Sequence, residues 1–252
     1  MKGDRPDYVR RLILETSHAK KAGHVASSFS VIEVLLALYG KVMKDTDVTI
    51  LSKGHASLAL YAVHCALGSI TEDELRSFCD YGSFLGGHPD RNKFKKAVAS
   101  TGSLGHGLPI AVGIALARKI KGESGTVYCI VGDGESNEGT VWESALLANH
   151  LKLDNLVCIV DNNGSQVRAV ETTTPHEKFA SFGWSVVNVI EGNDLNKVEE
   201  ALTQDRTAGF PTCFIMQTKK GFGVKDIQND MFSWHHRPPT DDELKKFIQE
   251  LS

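Results

Sequence analysis

The sequence predicts an α/β protein, with a mostly parallel sheet and helices on both faces. Three observations carry that expectation. Short β-rich runs occur at 126–131, 156–160, 184–190 and 212–218, each separated from the next by a helical pattern or a long loop. Strands that alternate with helices pair in parallel, and parallel sheets are covered on both sides. The 252 residues, 41% apolar and 23% charged, have ordinary globular composition and enough length for one large core. No Pro/Gly/Ser-rich linker interrupts them, so residues 1–252 are expected to form a single domain.

Taken in order, the first helix is expected from Asp7 to about Lys21, where Val9, Leu12 and Ile13 recur at helical spacing. A second, largely buried one spans 30–39, with Val31, Ile32, Val34, Leu35, Leu36 and Leu38. Further helices are expected at 56–67 and at 71–79, the latter behind the capping box Thr71-Glu72-Asp73-Glu74. Others follow at 106–121, 138–152, 194–204 and 240–251. The last begins Asp241-Asp242-Glu243, acidic where a helix dipole favours negative charge.

Charge and cysteine usage exclude several functions. With 28 Lys+Arg against 31 Asp+Glu, the net charge is −3, which argues against a nucleic-acid or membrane-surface binder. No apolar run approaches the roughly 20 residues that cross a bilayer, and Met1–Asp7 carries no apolar signal core. Cysteines at 65, 79, 129, 158 and 213 are odd in number, lack a C-x-x-C pair and lie in apolar stretches. They read as reduced core residues of a cytoplasmic protein. His64-Cys65 has no second ligand pair, which argues against zinc.

In open parallel sheets ligands bind beyond the carboxyl ends of the strands. Gly132-Asp133-Gly134-Glu135-Ser136-Asn137-Glu138-Gly139 follows the first β-rich run, and Asp161-Asn162-Asn163-Gly164 follows the next. Glycines before a helix let the backbone approach a phosphate group. Asp133, however, would repel a diphosphate unless a divalent cation lay between them. Mg²⁺ takes hard oxygen ligands from protein and phosphate together. Asp133 and an amide oxygen of Asn163, 30 residues later, would supply that arrangement.

Gly132-Asp133-Gly134 followed at that distance by Asn162-Asn163 resembles the thiamine diphosphate signature. Lys21-Ala22-Gly23-His24, Leu51-Ser52-Lys53-Gly54-His55-Ala56, Gly86-Gly87-His88-Pro89, Thr101-Gly102-Ser103-Leu104-Gly105-His106-Gly107 and Trp234-His235 accompany it. Their order and spacing resemble the N-terminal half of the transketolase family, from about Arg5 to Leu251, and imply its thiamine diphosphate-binding fold.

The resemblance implies Mg²⁺, or another divalent cation such as Ca²⁺ or Mn²⁺, held by Asp133, the Asn163 side chain and the Ser165 carbonyl. It places His55 and His235 near the cofactor diphosphate and reaction centre. Gly134 and Glu135 belong to the cofactor loop, and Gly102, Ser103 and Leu104 line the aminopyrimidine. His24 and His88 face substrate hydroxyls and carbonyl, where imidazole can exchange protons. Glu138 corresponds to a catalytic glutamate at a subunit interface. The implied activity is transfer of a two-carbon ketol unit between ketose and aldose sugars or sugar phosphates. The pyrimidine-binding and C-terminal domains, with the activating glutamate, are expected on a separate chain, in an α₂β₂ heterotetramer. Val25-Ala26 after the first histidine, and Gly164–Ala169 with Arg168, depart from the family pattern. Three alternatives stay open: 2-oxo acid decarboxylation, deoxyxylulose phosphate synthesis, or a noncatalytic cofactor-holding subunit.

Overall fold

The computed structural model describes residues 5–168 and 175–251. Five parallel strands form one sheet: β1 (Val48–Leu51), β2 (Val127–Gly132), β3 (Leu156–Asn162), β4 (Ser185–Val189) and β5 (Thr212–Gln217). Their spatial order is β1-β2-β3-β5-β4, so all their carboxyl ends lie along one edge of the molecule. The helices are α1 (Pro6–Lys20), α2 (Val25–Phe29), α3 (Ile32–Ala37), α4 (Ser57–Ala66), α5 (Glu72–Leu75), α6 (Gly107–Lys121), α7 (Gly139–His150), α8 (Pro175–Ser181), α9 (Leu195–Thr203), α10 (Lys225–Asn229) and α11 (Asp241–Glu250).

The strand side chains alternate between two cores, as the two-residue period of a strand requires. Tyr128, Ile130, Val157, Ile159, Phe214 and Met216 pack on the face covered by α1–α4, α9 and α11. Cys129, Val131, Cys158, Val160, Cys213 and Ile215 pack on the opposite face, with α6, α7 and α8. Helices therefore cover both faces, as expected. All five cysteines are free, and only Cys79 is exposed.

Two expectations need adjustment. The helix foreseen at 30–39 is three segments: α2 ends at Phe29, α3 follows, and residues 38–42 form a wider turn. The helix foreseen at 71–79 keeps its capping box but covers only Glu72–Leu75. Strand β1 and the short helices α8 and α10 were not foreseen; four, seven and five residues are too few to display a period. Among the described residues no helix is long and apolar enough to cross a membrane.

Candidate active site

Two oxygen donors stand on neighbouring strand ends. The carboxylate of Asp133, fully buried, accepts from the Gly134 N–H at 2.7 Å, the Ser165 hydroxyl at 2.7 Å and the Gln166 N–H at 3.3 Å. The Asn163 Oδ1 accepts from the Ser165 N–H at 3.0 Å. Ser165 thus gathers both oxygens. Beside them, a Cβ added to Gly134 would meet no described atom within 4 Å, so a bulkier group can approach the backbone there. Hard oxygens next to open space suit Mg²⁺ shared with phosphate. Among the described residues, no group of three or more His, Cys, Asp or Glu could hold a metal.

Two lysines add positive charge. Lys53, just after β1, is buried and paired with Asp161 at the end of β3. Lys220, just after β5, is also buried. Burial and the charge of Lys53 push its pKa down to about 8, while Asp133 and Asp161 act in the opposite direction. A polyanion in this pocket would favour the charged lysine. Lys220 Nζ donates to His235 Nδ1 at 3.0 Å, which leaves the proton of a neutral His235 on Nε2.

The histidines come from three loops. Gly23, at φ +102°, takes a left-handed turn where a Cβ would lie 2.9 Å from Leu58, and the chain emerges with His24 at the start of α2. The His24 ring centroid lies 5.2 Å from His55, 5.2 Å from His235 and 4.5 Å from His236. His55 and His235 are 6.1 Å apart. Burial, then His236, His235, His88 and Lys220, lowers the pKa of His24 to about 4. Burial, then Lys53 and the neighbouring His24, lowers that of His55 to about 2. Both rings are neutral near pH 7, each with one donor and one acceptor nitrogen. His88 makes its close contact with Gly102, whose hypothetical Cβ would lie 3.0 Å from the imidazole. Its charge is nevertheless felt at His24.

The remaining expected residues divide by position. Ser103 and Leu104 are exposed on the loop before α6. Glu135, expected in the cofactor loop, turns its carboxylate inward: Oε1 accepts from the Gly105 N–H at 2.9 Å and from the Ser52 hydroxyl, and Oε2 from the Gly132 N–H at 3.0 Å. Its place is that of a clamp between loops. Glu138 is exposed at the start of α7 and packs against Gly105, on the outer surface beside Leu104. Val25 and Ala26 are buried in the first turn of α2. The Arg168 side chain and Ala169 lie outside the described residues.

Sequence reasoning passed over Lys53, Asp161, Ser30, Lys220 and His236. Asp161 and Lys220 stand at strand carboxyl ends, the positions where ligands were expected, and that was a usable signal. Ser30 and Lys53 act through tertiary contacts that no local pattern displays.

A sequence profile described as "Transketolase, thiamine diphosphate binding domain" matches residues 3–252. The chain belongs to the transketolase family. It is 35% identical to one of the separately encoded subunits of apulose-4-phosphate transketolase from Actinobacillus succinogenes, over 96% of this chain and 92% of that one. It is 34% identical to the 6-deoxy-6-sulfo-D-fructose transketolase subunit SqwG of a Clostridium species, over 96% and 93%. Human transketolase is 34% identical over 98% of this chain, which spans only 41% of that enzyme. In structure, transketolase from Campylobacter jejuni superimposes with a TM-score of 0.89 at 26% identity, over 99% of this chain and 42% of that one. This transketolase-family chain is thus similar in extent to the separate subunits and spans less than half of the single-chain enzymes.

Proposed function

We propose that this chain is the N-terminal, diphosphate-binding subunit of a two-chain transketolase, which moves a two-carbon ketol unit between ketose and aldose sugars or sugar phosphates. The observation that carries the reading is convergence on one sheet edge: paired oxygens at Asp133 and Asn163, a buried lysine whose charge lacks full compensation, and a cluster of neutral imidazoles. Asp133, Asn163 Oδ1 and the Ser165 carbonyl would hold Mg²⁺, and the open side of Gly134 would admit the diphosphate. Gly102, Ser103 and Leu104 would line the aminopyrimidine. When bound, thiamine diphosphate supplies the nucleophilic carbon that carries the two-carbon fragment.

The chain's own residues orient the sugars and handle protons. Neutral His24 and His55 can each accept a hydrogen bond at one ring nitrogen and donate at the other, so they can bind hydroxyl and carbonyl groups without adding charge. His235 presents an Nε2 proton because Lys220 occupies Nδ1. His88 and Glu138 complete the proposed catalytic set, the latter at the edge where a second chain would meet this one. Exposed Leu104, Ile110, Leu146 and Leu147, on α6, α7 and the adjoining loop, support such a partner. We assign to it the pyrimidine-binding domain and the activating glutamate, in an α₂β₂ assembly. Five unpaired cysteines support a reducing compartment, the cytoplasm.

The test is reconstitution with the chain from the same host that resembles the remaining transketolase domains, in the presence of thiamine diphosphate and Mg²⁺. Ketose consumption with a matching new ketose product, no carbon dioxide from pyruvate, and loss of turnover in Asp133→Ala are expected. Carbon dioxide release from pyruvate would favour the decarboxylase chemistry instead. Full turnover in Asp133→Ala would remove the metal assignment.

A further inference from the structure

We infer that Asp161 and Ser30 form a positioning device that fixes which end of the Asn163 carboxamide faces the cation. The inference deepens the proposed reading and rests on it, since it takes Asn163 Oδ1 as a cation ligand. Neither Asp161 nor Ser30 is offered as a ligand; both act through Asn163.

The inventory of donors and acceptors decides the orientation. Asp161 is fully buried. Its Oδ2 receives Lys53 Nζ, the Ser30 hydroxyl at 2.7 Å and Asn163 Nδ2 at 3.1 Å, and its Oδ1 receives the Thr218 hydroxyl. A carboxylate paired with an ammonium group has no proton to give. Ser30 also lies 3.0 Å from Asn163 Nδ2. Its single hydroxyl proton has acceptors elsewhere, in Asp161 and in the Ser27 carbonyl at 3.3 Å, so toward Asn163 it presents a lone pair. Both neighbours on this side therefore accept, and only the NH₂ end of the carboxamide satisfies them. On the other side, the Ser165 N–H can only donate, and it takes Oδ1 at 3.0 Å.

The two sides give the same answer by independent chemistry. A flipped amide would set its oxygen against a carboxylate and a hydroxyl lone pair, and its NH₂ against an N–H. Two acceptors behind and one donor in front hold Oδ1 on the side of Ser165, whose hydroxyl binds Asp133. Lys53 has a further role here. Its pairing with Asp161 keeps that carboxylate charged within a buried site and so keeps it an acceptor. The device also reaches the imidazoles, because Ser30 closes the short helix α2 that begins next to His24. Groups that orient a metal ligand without touching the metal commonly govern affinity by roughly 10–100-fold.

The experiment uses this chain assembled with its partner and thiamine diphosphate, with Mn²⁺ as the probe. Free Mn²⁺ is read by electron paramagnetic resonance, independently of turnover. Ser30→Ala and Asp161→Asn should each weaken Mn²⁺ binding by about 10–100-fold. Thr218→Val, which removes a bond to Asp161 but touches no atom of the proposed device at Asn163, should stay within about twofold. Unchanged affinity in Ser30→Ala, or an equal loss in Thr218→Val, would overturn the inference. If Asp161→Asn fails to fold because Lys53 is left without its partner, the contrast between Ser30→Ala and Thr218→Val decides. Asp133→Ala separates the two levels: wild-type Mn²⁺ affinity there removes the cation site itself, whereas a loss there leaves the Ser30 and Thr218 contrast as the test of orientation alone.

Discussion

The two faces of the sheet are covered to different degrees. On one, α2, α3 and the greater part of α4 are buried on all sides, because α1, α9 and α11 lie over or beside them. On the other, α6 and α7 present a stripe of small residues to the sheet, Ala111, Val112 and Ala115 on one helix and Val141, Ala145 and Ala148 on the next. Their far sides stay apolar in part: Ile110 is 38% exposed, Ile120 77%, Leu146 59% and Leu147 46%. A surface helix normally turns a polar face outward. The first face is therefore finished within this chain, while the second has the composition of a layer still to be covered.

The greatest loss should fall on the finished face. Phe29→Ala, at a fully buried site in α2, should destabilise the chain by about 3–5 kcal/mol in denaturant titration; a loss below about 1 kcal/mol would undo the distinction between the faces. On the open face, Leu146→Asp with Leu147→Asp should change the unfolding free energy of the isolated chain by no more than about 0.5 kcal/mol per site. The same pair should abolish co-elution with the partner in size-exclusion chromatography, and intact assembly would show that the partner sits elsewhere.

Smaller effects arise at the edge where the two faces meet. Lys220, on the finished side, should give cofactor binding a pH dependence. Its pKa of about 8 means that the free site loses positive charge as pH rises through that value. Affinity for thiamine diphosphate should then fall above pH 8, by up to about tenfold per pH unit, and Lys220→Met should flatten the profile. A profile unchanged by the substitution would take Lys220 out of diphosphate binding.

The mildest effect is on stability in acid. His24 and His55 have folded pKa values of about 4 and about 2, below the ordinary value near 6.5 of the unfolded chain. Below that value the unfolded state binds more protons, so stability should fall as pH drops from about 6.5 toward 4. His24→Asn should make the decline shallower in urea titrations at pH 7 and pH 5; an identical slope would mean that His24 is not held neutral by its surroundings.

Much of this was legible in the sequence because it rests on local patterns. Four of the five strands, the capping box at Thr71 and the glycine-flanked Asp133 each announce themselves within a few residues. The division into a finished and an open face was not legible: Leu35 and Leu147 are both leucines at helical spacing, and only the packing of distant helices buries one and leaves the other exposed. The same limit hid Lys53 and Ser30. Lys53 stands in a recognised motif, but its meaning comes from Asp161, 108 residues away, and Ser30 meets the same carboxylate across 131 residues. Glu135 erred in the opposite sense. Its place in a glycine-rich loop suggested an outward role, whereas the structure turns its carboxylate toward the loops on either side.

That inward carboxylate also governs how the site waits for its ligand. Glu135 ties the loop after β1 through Ser52, the loop before α6 through Gly105, and the end of β2 through Gly132. Three segments far apart in the chain share one anchor, so none can swing away while the others stay in place. The floor of the pocket is therefore preorganised, and ligand capture need not meet the entropy of ordering these loops. In deuterated buffer the amide protons of Gly105 and Gly132 should persist long after those of nearby exposed loop residues have exchanged, with or without thiamine diphosphate.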